Sequence, residues 1–214
     1  MEPAGDVKRP RSYDSTRRRE QARQTRLAVV RAAYELFVEV GYGRATIAAI
    51  AERAGVSAET VYAAFGSKAG LLARVWDVTV GGDDEDVLLH ERPAFLAMRA
   101  EPDLRRRLEK MAALLVGLHE RTVPFLLALQ GAAAVEPAAA EMLAEVDRQR
   151  SQGMRLMARE AAATGQLRVS EEECHDVLWS TNRGELWHHL VVERGWSRER
   201  FERWIAELWQ RMLT

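Results

Sequence analysis

Cysteine is almost missing from this chain: Cys174 is the only one in 214 residues. That excludes an internal disulfide framework and fits a reducing cytosol. A lone cysteine in a helical stretch reads as a small buried hydrophobe. Lysine is scarce too, with Lys8, Lys68 and Lys110 the only three among 31 basic residues. Arginine in its place, beside abundant alanine, is the usage of a GC-rich genome. No run of eighteen or more apolar residues and no signal-peptide pattern occurs, so a cytoplasmic protein without a transmembrane helix is expected. No stretch alternates apolar and polar residues strongly enough to predict a strand.

Catalytic and metal-binding patterns are lacking as well. The histidines (His90, His119, His175, His188, His189) form no HExxH, and one cysteine cannot build a Cys-rich zinc site. His188 and His189 are neighbours on a helix and point about 100° apart, so they do not chelate together. Gly41-x-Gly43 lacks a third glycine and follows a helix, so it is no nucleotide fingerprint. Neither a nucleophile elbow nor a phosphate loop is present. The sequence therefore predicts no enzyme, no metal and no cofactor.

What the chain does have lies at residues 26–71. Leu27, Val30, Tyr34 and Phe37 recur at helical intervals, widened by Ala33, Leu36 and Val40. Gly41 and Gly43 stop that helix. Thr46 is a plausible N-cap for a short second helix, with Ile47, Ile50, Ala51 and Ala54 on one face. Gly55-Val56-Ser57 supplies a turn and the next cap. In the third helix Val61 and Phe65 face inward, which turns Glu59 and Ala63 outward with Thr60 and Tyr62 on the flanks. Two short helices across a tight turn are the scaffold that sets a helix in the DNA major groove. Ser67 then caps a fourth helix, placing Lys68 in its first turn. A cation there opposes the helix dipole, but beside a helix N-terminus it makes a phosphate site.

Charge agrees with this reading. Residues 1–68 carry twelve Lys and Arg against eight Asp and Glu, and residues 69–214 carry nineteen against twenty-four. The basic part is the one with the helix-turn-helix. Residues 1–16 read as a disordered basic arm, and residues 17–66 as the DNA-binding domain. Residues 67–214 read as a second, all-α domain reached through a connecting helix at 67–80.

In that second domain the acidic, glycine-rich 81–86 is a loop. Helices follow at 93–100, from Pro102-Asp103 through Leu118, from Thr122 to Ala134 with Pro124 in its first turn, and from Pro137 to about Thr164. The capping box Ser170-x-x-Glu173 opens a long helix running to about Gly195. Ser197 caps the last, with Phe201, Trp204, Ile205, Leu208 and Met212 on one face. Five tryptophans lie after residue 178, a density that suggests a subunit interface. Gly184 in mid-helix suggests close approach of another helix.

The chain resembles the TetR/AcrR family of bacterial transcriptional regulators. The resemblance rests on residues 32–42, the T-I-x-x-I-A-x-x-A-G-V-S run at 46–57, T-V-Y at 60–62 and F-x-S-K at 65–68. It departs at Ala63 and Ala64, where the family often has larger or polar residues. The resemblance implies an all-α chain with an N-terminal three-helix DNA-binding domain and a C-terminal helical domain for ligand binding and dimerisation. Its partners would be a double-stranded operator, a second copy of the chain and a small apolar or amphipathic effector, with no membrane. Arg44, Thr46, Ser57, Ala58, Glu59, Thr60, Tyr62, Ala63 and Lys68 are the DNA-facing candidates. Glutamate can accept from cytosine N4 and alanine can touch a thymine methyl. Pocket candidates are Trp76, Phe95, Met98, Met111, Phe125, Met154 and Met157, and interface candidates are Thr181, Gly184, Trp187, His188 and Trp204. The alternative is that the second domain binds a partner protein rather than a small molecule.

Overall fold

The computed structural model describes residues 12–214, and among them every regular element is helical. The head comprises α1 (Ser12–Val40), α2 (Ile47–Ala54) and α3 (Ala58–Phe65), followed by α4 (Lys68–Gly81). The rest is α5 (Pro93–Arg99), α6 (Leu104–Ala132), α7 (Pro137–Ala162), α8 (Glu171–Thr181), α9 (Gly184–Trp187) and α10 (Arg198–Leu213). The chain is all-α, as its periodicity predicts. Residues 1–11, most of the expected arm, lie outside the described residues. Residues 12–16 belong to α1 instead, because Pro3, Gly5 and Pro10 all precede it and no proline or glycine interrupts 12–40.

Predicted caps hold the elements. Thr46, Ser57, Ser67 and Ser197 each accept a hydrogen bond from the backbone two or three residues into their helices. Ser170 and Glu173 form the reciprocal capping box.

Two boundaries differ from expectation. The predicted helices around 102–118 and 122–134 are one continuous α6, with Pro124 inside it. The missing N–H leaves one carbonyl of the preceding turn without its ladder partner, a cost that packing along the rest of α6 offsets. The single helix predicted for 171–195 is instead broken at Asn182-Arg183, where Arg183 is extended (φ −111°, ψ 139°). Beyond α9 the chain runs on as a π-helical turn, His188–Glu193. Arg150 stabilises the break by donating to the carbonyls of Trp179 and Asn182 at 2.5 and 3.3 Å, so it caps the end of α8.

Two apolar clusters fill the interior. The first joins Val29, Ala33, Phe37, Ile50 and Val61 of the head to Leu71, Val75 and Trp76 of α4, and to Phe125 and Leu129 of α6. Phe125 is fully buried, with Tyr34, Phe37 and Trp76 ring centres 6.1, 6.3 and 6.2 Å away. The head therefore shares its core with α6, and the boundary expected at residue 66 does not separate two cores. The second cluster packs α10 on α6 through Leu108, Leu115, Phe201, Ile205 and Trp209. By length and composition α6 is apolar enough to cross a membrane, yet its apolar side chains are the shared wall of both clusters. It is a core helix.

Candidate nucleic-acid interface

Most of the residues expected to face DNA are exposed. Arg44, Thr46, Ser57, Glu59, Thr60, Tyr62 and Ala63 are exposed, and Ala58 is partly so. Val61 is buried between Thr60 and Tyr62, which fixes which side of α3 turns outward. Tyr62 stands out at 53% exposure, large for an aromatic residue. Gly55, at φ +68°, makes the tight turn between α2 and α3.

Several of these side chains also have structural tasks. Thr46 and Ser57 are caps, and the Ser57 and Thr60 hydroxyls lie 3.2 Å apart. Arg44 Nε donates to the Val40 carbonyl at 2.8 Å and so closes α1. The Glu59 carboxyl is held below its usual range by its own backbone N–H and then by Ser57, so it is an anion at the start of α3.

Lys68 is half-buried rather than solvated. Its Nζ donates to the Tyr42 carbonyl at 2.5 Å and lies 4.2 Å over the Tyr42 ring. Burial pushes its pKa down, and the charge of Glu136 acts in the opposite direction. The dipole conflict expected at the start of α4 is thus relieved inside the chain, by two carbonyl contacts and a carboxylate, without a phosphate. Glu136, on the elbow between α6 and α7, was not expected from the sequence. Its only signal there is a charge at the start of a proline-led helix. Close packing locks α4 against α3, since a Cβ on Gly70 would meet the Phe65 carbonyl oxygen at 2.2 Å.

The far end of α4 is fixed to the second domain. Trp76 Nε1 donates to Gln149 of α7 at 3.4 Å while its ring stacks on Phe125. Arg121 of α6 donates to the carbonyls of Thr79 and Val80, closing the last turn of α4. Arg23 of α1 reaches the Asp84 carboxylate at 2.7 Å just beyond it.

None of the expected pocket residues lines either of the two cavities described below. Trp76 and Phe125 belong to the first apolar cluster, and Met98, Met111 and Met157 are buried in the second, with Phe95 and Met154 packed against it. Each satisfies a neighbouring helix, as an apolar residue on a stripe usually does. Two cavities lie elsewhere among the described residues. One of about 410 Å³ lies between α6, α7 and the α8–α9 break. Another, about 430 Å³, lies between the Val38–Arg44 exit of α1 and the α6–α7 elbow. Leu127 lines both.

Nor do the interface candidates share one surface. Trp187 is buried, edge-on to Phe201 with ring centres 5.0 Å apart, and is core of the single chain. Gly184 does meet another helix closely, but it is α6 of the same chain: a Cβ there would lie 3.0 Å from Val123 Cγ2. Thr181 Oγ1 accepts from Trp209 Nε1 at 2.7 Å, and His188 lies 3.3 Å from Glu193. Trp204 is partly exposed. The predicted face of the last helix divides in two. Phe201 and Ile205 continue inward to Trp209 and Leu213, whereas Trp204, Leu208 and Met212 run along the outer side.

Known proteins match this arrangement. Residues 29–75 match the family model described as bacterial regulatory proteins, tetR family. Over 67 residues the chain is 37% identical to the HTH-type transcriptional repressor BdcR of Escherichia coli (strain K12), a match spanning 30% of this chain and 34% of that relative. The chain thus spans about a third of that relative's length. Among solved structures, NalD of Pseudomonas aeruginosa, described as the secondary repressor of the MexAB-OprM multidrug efflux pump, is similar with a TM-score of 0.65 at 20% identity over 91% of this chain and 97% of that one. A SmeT–triclosan complex gives 0.62 at 21% identity over 89% and 91%. A TetR transcription regulator from Haloarcula marismortui gives 0.63 at 18% identity over 89% and 98%. At these identities the structures establish likeness of fold.

Proposed function

Because the chain belongs to the TetR family, we propose that it is a DNA-binding transcriptional repressor of the cytoplasm, acting as a dimer on a palindromic operator and released by a small molecule. The observation that carries this is the exposure of Arg44, Thr46, Ser57, Glu59, Thr60, Tyr62 and Ala63 beside a buried Val61 that turns the other side of α3 outward. In this reading Tyr62 and Lys68 hold phosphates, with Thr46, Ser57 and Thr60 at helix starts, and Glu59 and Ala63 face base edges. Lys68 would turn from the Tyr42 carbonyl to a phosphate on binding.

Release follows from mass action between two states. Trp76 couples α4 to α6 and α7, and Lys68 stands at its other end, so an effector that prefers a shifted α6 moves the reading helix. Such coupling is typically about 1–3 kcal/mol. The relative BdcR is named a repressor and the SmeT structure holds triclosan. Both support a ligand-released repressor. The cavity beside α6 supports a small molecule over a protein partner as the occupant of the second domain. For the dimer, the outer stripe Trp204, Leu208 and Met212 on α10 is the apolar surface we assign to the partner copy.

The test is selection of binding sites from random duplex DNA by the purified chain. A palindromic consensus with half-sites about one helical turn apart is expected. No enrichment of any sequence, at low and at moderate salt, would exclude the reading.

A further inference from the structure

The cavity between α6, α7 and the α8–α9 break has an apolar floor of Val123, Leu126, Leu127, Leu143 and Val146. Gln130, Asp147, Arg150, Trp179, Arg183 and Glu185 also line it, and their hydrogen bonds are unevenly satisfied. Arg150 is engaged through both Nη atoms: Nη1 holds the carbonyls of Trp179 and Asn182, Nη2 donates to Asp147 at 2.6 Å, and the guanidinium lies 4.9 Å over the Trp179 ring. Asp147 is neutralised by that contact. Glu185 accepts from Gln130 Nε2 at 3.0 Å. Burial pushes its carboxyl up, yet its own backbone N–H and Arg183 outweigh that and leave it below the usual carboxylate range.

The groups left over are both donors. Trp179 Nε1 is buried with no hydrogen-bond partner. Arg183 is 43% exposed, and its contact with Glu185 is long at 3.4 Å. Its guanidinium also lies 5.9 Å from the centre of the Trp179 ring, on the same cavity wall. An orphan buried N–H costs about 1–3 kcal/mol, which an incoming acceptor relieves. A cation, by contrast, would find the carboxylates already paired and two guanidinium groups beside it.

We propose that this cavity binds an amphipathic carboxylate, its apolar body on the α6–α7 floor and its head received by Arg183 and the Trp179 N–H. The volume of about 410 Å³ is at the small end of ligand sites, which restricts the body to a short chain or a single ring system. The proposal deepens the repressor reading and rests on it for its regulatory consequence, while its chemistry rests on the cavity alone.

The test is calorimetric titration of the intact chain with three probes of one chain length: decanoate, decan-1-ol and decyltrimethylammonium. Decanoate should bind at least tenfold tighter than either of the others. Arg183→Gln should remove that preference while leaving decanol binding unchanged. Glu185→Gln, which frees Arg183, should tighten decanoate severalfold. Equal affinity for decanoate and decanol, preference for the ammonium, absence of decanoate binding, or an Arg183→Gln protein that keeps the preference would each overturn the proposal. Operator binding is followed separately by fluorescence anisotropy. A chain that keeps the decanoate preference but binds no duplex would overturn the repressor reading and leave the cavity assignment standing.

Discussion

Glu136 stands directly against Gly43: a Cβ on Gly43 would lie 3.0 Å from Glu136 Oε1. The contact joins the elbow of the second domain to the exit of α1, and the same carboxylate acts on Lys68 and Tyr42. It favours the inward position of Lys68 and sets a negative charge beside the expected phosphate. Glu136→Gln should therefore tighten DNA binding in general, up to about fivefold at low salt, the yield of roughly 1 kcal/mol from a surface pair. Anisotropy titrations on specific and unrelated duplexes measure this; weaker binding by the variant would contradict it.

Lys68→Ala should weaken binding to all sequences about equally and reduce the slope of log affinity against log salt by roughly one unit. A changed sequence preference with an unchanged slope would rule out the phosphate role. The variant also removes the donor from the Tyr42 carbonyl, so a loss of about 1 kcal/mol in stability is expected alongside.

Phe125→Ala should cost about 3–5 kcal/mol, because the hole it leaves is walled by three aromatic rings from α1 and α4. Head and second domain should lose stability together. Urea unfolding of single-tryptophan variants, one keeping Trp76 and one Trp209, would give coincident transitions. Separate transitions in the unmodified Phe125 background would refute the shared core.

His119 is buried and its pKa is pushed down to about 4, chiefly by desolvation, with Asn182 opposing and Arg150 adding. Unfolded, it titrates near 6.5. The folded value lies below the unfolded one, so protons bind the unfolded chain first as pH falls. The contribution to stability is constant above about pH 6.5 and is lost from there down to about pH 4, some 3 kcal/mol in all. His119→Gln should flatten that part of the urea midpoint against pH relative to wild type. A difference between the two proteins that does not change with pH would show that His119 does not titrate there.

Dimerisation should fail in Leu208→Arg and Met212→Arg, which charge the outer stripe of α10, with helicity retained. Gly184→Arg should instead damage the fold, since the side chain would enter Val123 of the same chain. Light scattering together with circular dichroism separates the two effects. A dimer as tight as wild type in both α10 variants would place the interface elsewhere.

The head was legible almost residue by residue because its signals are local. Thr46, Ser57 and Ser67 cap within three residues, and the spacing of Val61 alone orients α3. The second domain was legible in helices but not in surfaces. Whether Trp187 or Trp204 turns outward depends on which stripe α6 covers, and periodicity cannot choose between two apolar stripes on one helix. The α8–α9 break was hidden because Arg150, which holds it, lies 29 residues from the first carbonyl it caps. Gly184 in mid-helix was the visible part of it. The expected pocket residues were read from type alone, and methionine and phenylalanine on an apolar stripe also fill cores, as Met98, Met111 and Phe125 do.

The ring of Phe125 also limits how the molecule can be taken apart. A reading head cut after α3 would carry Tyr34 and Phe37, and one cut after α4 Trp76 as well, away from the side chain they enclose, opening an aromatic-lined hole to water. Transplanting this head onto another regulator would need the middle of α6 to travel with it, although that segment begins some forty residues after α4 ends. The part that reads DNA is therefore not a portable cassette, and changes of operator should arise on the outer face of α3 more readily than by exchange of whole heads.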